Sequence, residues 1–255
     1  VTAFLAGVRL QLSLFRRNPG HLLIFTTVPF FAAIFLAGIG QAHRADLAPF
    51  AVMGPALIGV WAVSLDLAGS VIDAERSQGT FEMLVAAPAS LSRVLAGRIV
   101  TITVFGMATL LEPLLVARFV FATAVSVVHP VVFVLALLAT AVAMTGTSTG
   151  MAALFVAARS ARRFSNSMNY PFYILGGLIV PVAALPIWLR PLSWVVYLSW
   201  SADLLRDTTN PAPVPDVAAR LAMVVLLGVI AYAVGVALTR RVVQGLRRQG
   251  TVGLS

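Results

Sequence analysis

Gly146, Ser148 and Gly150 spell G-x-S-x-G, the pattern that sets a nucleophilic serine on a sharp strand-to-helix turn in many hydrolases. Such a serine needs a base within hydrogen-bond reach, about 3 Å. The histidines are His21, His43 and His129, all at the edges of apolar runs. On one helix, His129 and Ser148 would stand about 28 Å apart at 1.5 Å per residue. The same stretch, Gly146-Thr147-Ser148-Thr149-Gly150, also forms G-x-x-x-G, which lets two membrane helices approach closely. Packing is the stronger reading, and no catalytic residue is assigned. Scattered histidines, no cysteine and no carboxylate pair at ligand spacing leave no metal site and no bound cofactor to expect.

Asp66 and Glu112 are the ionisable residues inside apolar runs. Asp66 precedes Asp73 by two helical turns, roughly 10 Å into the bilayer from the inner boundary. Glu112 stands directly before Pro113, which must disrupt a helix at that point. A charge at such depth costs several kcal/mol unless it is paired, hydrated or protonated, so it faces protein or water. Both are candidates for lining a translocation path, with a structural hydrogen bond to a neighbouring helix as the alternative. Glu112 and Arg118 fall on different faces of a regular helix and need not pair.

The elements that hold these residues follow from composition. The chain has 255 residues, 60% of them apolar, with 18 basic and nine acidic side chains, and a mean hydropathy of +0.96. A soluble domain is typically about 25% charged, so an ordinary soluble globule, a disordered chain and a fibrous repeat are excluded. The expected fold is an all-α polytopic membrane protein forming a single transmembrane domain over 1–255. Six transmembrane helices are expected, at 21–40, 49–72, 97–119, 130–158, 168–187 and 217–239. Val1 to Arg17 reads as an amphipathic interfacial helix, with Phe4, Leu5, Val8, Leu12 and Phe15 at three- and four-residue steps. A signal peptide is the weaker reading, because its apolar core would be long and many spans follow. With the N-terminus inside, thirteen arginines fall on inner segments and five on outer ones. Both termini are therefore expected in the cytoplasm, and the charge of +9 reflects topology rather than nucleic-acid binding. The outer 186–216 segment holds Trp188, Trp194, Trp200 and five prolines, which suits short re-entrant or interfacial external helices before the last span. The 240–255 tail is basic. No internal repeat is visible, which argues against an inverted-repeat carrier.

The cytoplasmic 73–98 connection is the most informative. Gly79 and Pro88 bracket a short helix, Thr80 to Ala87, with Thr80 as N-cap and Glu82 near its positive end. Phe81, Leu84 and Val85 supply an apolar face, and a plain solvated connector would not need these and Met83 together, so the segment is a rigid knob suited to a partner's groove. Glu75, Arg76, Gly79, Thr80, Glu82, Leu84 and Pro88 fill a Glu-Arg-x-x-Gly-Thr-x-Glu-x-Leu-x-x-x-Pro pattern. In this the chain resembles the permease subunits of type-2 ATP-binding-cassette (ABC) exporters.

The resemblance implies that 75–88, Phe81 included, is the coupling helix, and that two copies of a separate ABC ATPase bind ATP and Mg. It also implies a second permease, identical or a sister subunit. The chain has no lysine and hence no P-loop of its own. ATP can move the spans only through contacts that differ between two states. The apolar spans suit export of a hydrophobic or amphipathic cargo, such as a drug, antibiotic or lipid-like molecule, across a bacterial inner membrane. A polysaccharide or glycolipid exporter of the same family, a non-transporting assembly or sensor subunit, and remotely an intramembrane enzyme are the alternatives.

Overall fold

The apolar runs close on themselves as helices because a chain in lipid must satisfy its backbone polar groups internally. The computed structural model describes residues 2–17, 27–41, 47–77, 91–123, 125–157 and 161–249. Among the described residues lie ten α-helices and no strand. In chain order they are α1 (Thr2–Arg17), α2 (Thr27–Gln41), α3 (Ala48–Ser77), α4 (Leu91–Gly106), α5 (Leu111–Phe119), α6 (Pro130–Ala157), α7 (Ala161–Leu175), α8 (Arg190–Ser193), α9 (Tyr197–Asp207) and α10 (Val217–Gln249). Four segments are long and apolar enough to cross a membrane: Ala48–Leu65, Arg93–Phe119, Pro130–Ala152 and Val217–Arg241. Helix α2 is apolar but only 15 residues long. The chain is an all-helical, multi-pass membrane protein.

Two of the six expected spans, the third and the fifth, are not continuous α-helices, and the first lies partly outside the described residues. Residues 21–26 lie outside the described set, and α2 covers the rest of the first. The continuous span expected at 168–187 is corrected: α7 begins at Ala161 and stops at Leu175. Gly177 sits at φ +66, a left-handed conformation that glycine adopts without strain. The Gly177 N–H donates to Ile174 O at 3.1 Å and the Leu178 N–H to Tyr173 O at 3.0 Å. These two bonds make a Schellman end, which satisfies the last carbonyls and turns the chain away. Apolarity alone did not reveal the stop, although Gly176-Gly177 and Pro181 encode it.

Expected span 3 is interrupted for a different reason. A 3₁₀ turn, Met107–Leu110, joins α4 to α5. Pro113 has no N–H to offer the Thr109 carbonyl, and its ring would crowd that carbonyl in a regular helix. The tighter winding ahead of it resolves the conflict.

Helix α3 is the axis of the bundle: from Ala51 to Leu65 every residue except Ala62 is buried. Helices α6 and α10 form the closest pair. A Cβ on Gly146 would run into the Gly228 carbonyl, one on Gly228 into the Ala143 backbone, and one on Gly235 into the Gly150 backbone. Thr140, Thr145, Thr147 and Thr149 donate back to carbonyls one turn earlier in α6, so these hydroxyls cost little in an apolar setting. Leu138 and Val142 on α6, and Leu226, Val229 and Ile230 on α10, remain exposed.

Helix α1 is bolted to the start of α4. Gly7 abuts the Val94 backbone and Gly97 the Phe4 backbone. Buried Arg98 donates through Nε to buried Gln11 Oε1 at 3.1 Å, and Phe15 stacks on Phe105 at 4.6 Å. Only part of the apolar face of α1 is therefore left for lipid. Phe4, Val8 and Phe15 are half-buried, whereas Leu5 and Leu12 are exposed.

Candidate functional site

A groove of about 480 Å³ lies between α2, α3 and α7. Helix α2 contributes Thr27, Val28, Phe31 and Phe35, and α3 contributes Ile58, Gly59, Ala62 and Val63. Asn169, Tyr170 and Tyr173 come from α7, and Ile179 from beyond its end. Gly59 makes the floor thin: a Cβ there would meet Val28 Cγ2 at 2.6 Å and Thr109 Oγ1 at 2.9 Å. Without a side chain at Gly59, α2 and the 3₁₀ turn close onto α3.

The wall behind the groove is held rigidly. Trp61, fully buried on α3, donates its Nε1–H to Asn169 Oδ1 at 3.0 Å. Its ring stacks on Phe172 with centroids 4.4 Å apart and lies 6.4 Å from that of Tyr197. The indole thereby takes the Asn169 carbonyl oxygen, leaving the amide NH₂ as a donor. Tyr170 meets Tyr173 edge-on at 6.2 Å and is 69% exposed, while Phe31 is 42% exposed. An open aromatic rim, an apolar bed and a few polar groups are the usual makings of a site for a small amphipathic molecule. Its lining holds no histidine, carboxylate or basic side chain, and among the described residues no three histidine or carboxylate side chains cluster as metal ligands.

The end of the bundle beyond the groove is fastened by charge. Arg206, on α9, is 6% exposed. Its Nη2 donates to Gly177 O at 2.6 Å, its Nη1 reaches Asp203 at 3.4 Å, and the guanidinium lies 3.9 Å over the Phe50 ring. The carbonyl freed by the break after α7 is thus capped by a cation. Burial lowers the Arg206 pKa to about 10, against the pull of Asp203, so it stays charged at neutral pH. Arg220 at the start of α10 pairs with Asp207 at 2.7 Å, and the Val128 and His129 N–H groups donate to Thr208 O at 2.9 and 3.1 Å.

A family model described as ABC-2 type transporter matches residues 2–209. The chain belongs to the ABC-2 type transporter family. The match runs from α1 through the groove to α9, and no curated protein is significantly similar to the chain. An ABC-2 permease is a transport subunit, and an ABC ATPase is in general its partner.

The candidate residues of this ABC-2 permease fall in different places. Glu75 and Arg76 lie on the last turn of α3 and Asp66 about two and a half turns earlier, but their side chains lie outside the described set. Gly79, Thr80, Phe81, Glu82, Leu84 and Pro88 lie wholly outside the described residues. Glu112 sits in the first turn of α5, half-buried, with Oε2 buried and unpartnered among the described residues. It is not part of the groove wall. Gly146 and Gly150 face α10. Ser148 is buried with no hydrogen-bond partner among the described residues, while His129 Nε2 lies 3.0 Å from Ala212 O.

The groove residues themselves were not singled out in the sequence. Two signals could have marked them: Trp61 stands far from the other three tryptophans, and Asn169-Tyr170 stands just ahead of the apolar stretch from Phe172 to Val180.

Proposed function

We propose that this chain is the permease subunit of an ABC exporter and that the α2–α3–α7 groove receives a hydrophobic or amphipathic cargo, a drug, antibiotic or lipid-like molecule. The groove's aromatic rim carries the reading: stacking and dispersion select flat or branched apolar bodies, and Thr27 and Asn169 orient a polar end. In this reading the chain sits in a bacterial inner membrane with both termini in the cytoplasm. A second permease, identical or a sister subunit, completes the path. Two copies of a separate ABC ATPase bind ATP and Mg and hydrolyse the nucleotide.

Two substitutions test the cargo assignment. Phe31→Ala and Tyr170→Ala each remove an exposed ring, and each should weaken binding of a groove cargo by roughly tenfold, since an aromatic contact adds about 0.5–1.5 kcal/mol beyond its buried area. Thermal stability should barely change. The measurement is drug-stimulated ATPase activity and photoaffinity labelling of the reconstituted complex across a panel of amphipathic compounds. Unchanged labelling in both variants would remove the groove from the path.

The 75–88 segment transmits the ATPase closure in this proposal. Glu82→Arg and Gly79→Pro should leave membrane insertion intact while cargo-stimulated ATPase activity falls to the basal rate. Cysteine pairs between Phe81 or Met83 and the ATPase groove give the direct check. Full stimulation in the two variants sinks the coupling role.

A further inference from the structure

Beside this transport reading, and independent of it, α1 carries a second binding surface. We propose that the exposed face of α1 is a binding site for the headgroup of an anionic phospholipid. Arg9, Leu12, Ser13, Arg16 and Arg17 surround an open cavity of about 410 Å³. Their spacing places all five on the side of the helix opposite α4, and the three arginines are exposed. Arg9, Arg16 and Arg17 form no ion pair with any described residue. Ser13 already donates to Leu10 O at 2.8 Å, so it forms a small polar floor between the guanidiniums.

The neighbouring side chains indicate a lipid rather than a free anion. Leu5 and Leu12 are 46% and 48% exposed and lie one above the other on one flank of the arginines. An acyl chain can run along that flank while the phosphate meets the planar guanidinium forks, which match its oxygens bidentately. A zwitterionic lipid brings its own cation to the phosphate and gains less from three arginines.

Rigidity turns this surface into a site. The opposite face of α1 is fixed to α4 by the Gly7 and Gly97 backbone contacts, the buried Gln11–Arg98 bond and the Phe15–Phe105 stack. The arginines are therefore presented from a set direction instead of on a loose helix. Helix α4 is also the first described element after residues 78–90, so a lipid clamped on α1 bears on the body that emerges from that connection.

The test uses the full chain, purified and titrated with short-chain phosphatidylglycerol, phosphatidylcholine or inorganic phosphate, with bound molecules counted by native mass spectrometry. Phosphatidylglycerol should bind at least about tenfold more tightly than phosphatidylcholine, and inorganic phosphate should not displace it. The triple variant Arg9→Gln, Arg16→Gln, Arg17→Gln should lose the preference, while Arg118→Gln, on a different helix, should keep it. Leu5→Ser with Leu12→Ser should weaken both lipids alike. Should the triple variant fold poorly, its Arg→Lys counterpart should retain part of the preference, because charge survives but the fork is lost. Equal preference in the wild type and the glutamine variant overturns the proposal, as does full displacement by inorganic phosphate.

Discussion

Gly146→Leu is expected to wedge α6 away from α10 and to destabilise the bundle by about 3 kcal/mol or more. Overpacking ordinarily costs about 1–3 kcal/mol, and here the obstacle is the Gly228 backbone, which cannot rotate aside as a side chain can. Association of helices in lipid rests on close packing rather than on a hydrophobic drive between them, so lost contact has no substitute. Detergent-solubilised protein should shift to lower melting temperature and to aggregated species in size-exclusion chromatography. Gly38→Leu and Gly40→Leu are the internal controls, because no atom lies within 4 Å of a Cβ at either position. If the controls and Gly146→Leu melt together, close glycine packing is not what holds the pair.

The second large effect is expected from Arg206→Leu. The substitution leaves the Gly177 carbonyl without its donor and removes the cation from Phe50. A hydrogen bond to a charged group is worth about 1.5–3 kcal/mol, so a loss of about 2–4 kcal/mol is expected once the ring contact is included. Amide exchange should rise first around 176–186, where the chain leaves α7. Arg206→Lys should recover only part, since an ammonium cannot span the carbonyl and the carboxylate in one plane. Asp203→Asn should change little, because its side chain is 52% exposed and exposed pairs are worth about 0–1 kcal/mol. Wild-type exchange in Arg206→Leu would show that the Schellman end stands without the cap.

Fold class and site differ in how far the sequence exposes them. The long helices were legible because the bilayer permits only segments that satisfy their own backbone, and hydropathy measures that directly. Gly146 and Gly150 were legible as a spacing. Their partners Gly228 and Gly235 were not, since isolated glycines in an apolar run carry no mark of what they face. The end of α7 was missed because Leu178, Ile179 and Val180 continue the apolar signal past a turn that two glycines dictate. The groove was missed for a different reason: its walls come from α2, α3 and α7, and no local pattern unites Phe31, Gly59 and Tyr170. Burial of Arg206 was hidden as well, because a lone arginine beside Asp203 and Asp207 reads as an ordinary solvated ion pair.

The four tryptophans give the chain a built-in optical ruler. Trp61 is sealed beside the groove, whereas Trp188 and Trp194 are 72% and 62% exposed near α8. Emission therefore divides into a component from Trp61, shielded from collisional quenchers, and a component from Trp188 and Trp194 that is open to them. A chromophoric compound settling against Tyr170 would lie beside Asn169, the hydrogen-bond partner of Trp61, and quench the shielded component by energy transfer where collisional quenchers cannot reach it. Its arrival could be followed in unlabelled protein as loss of the quencher-resistant emission.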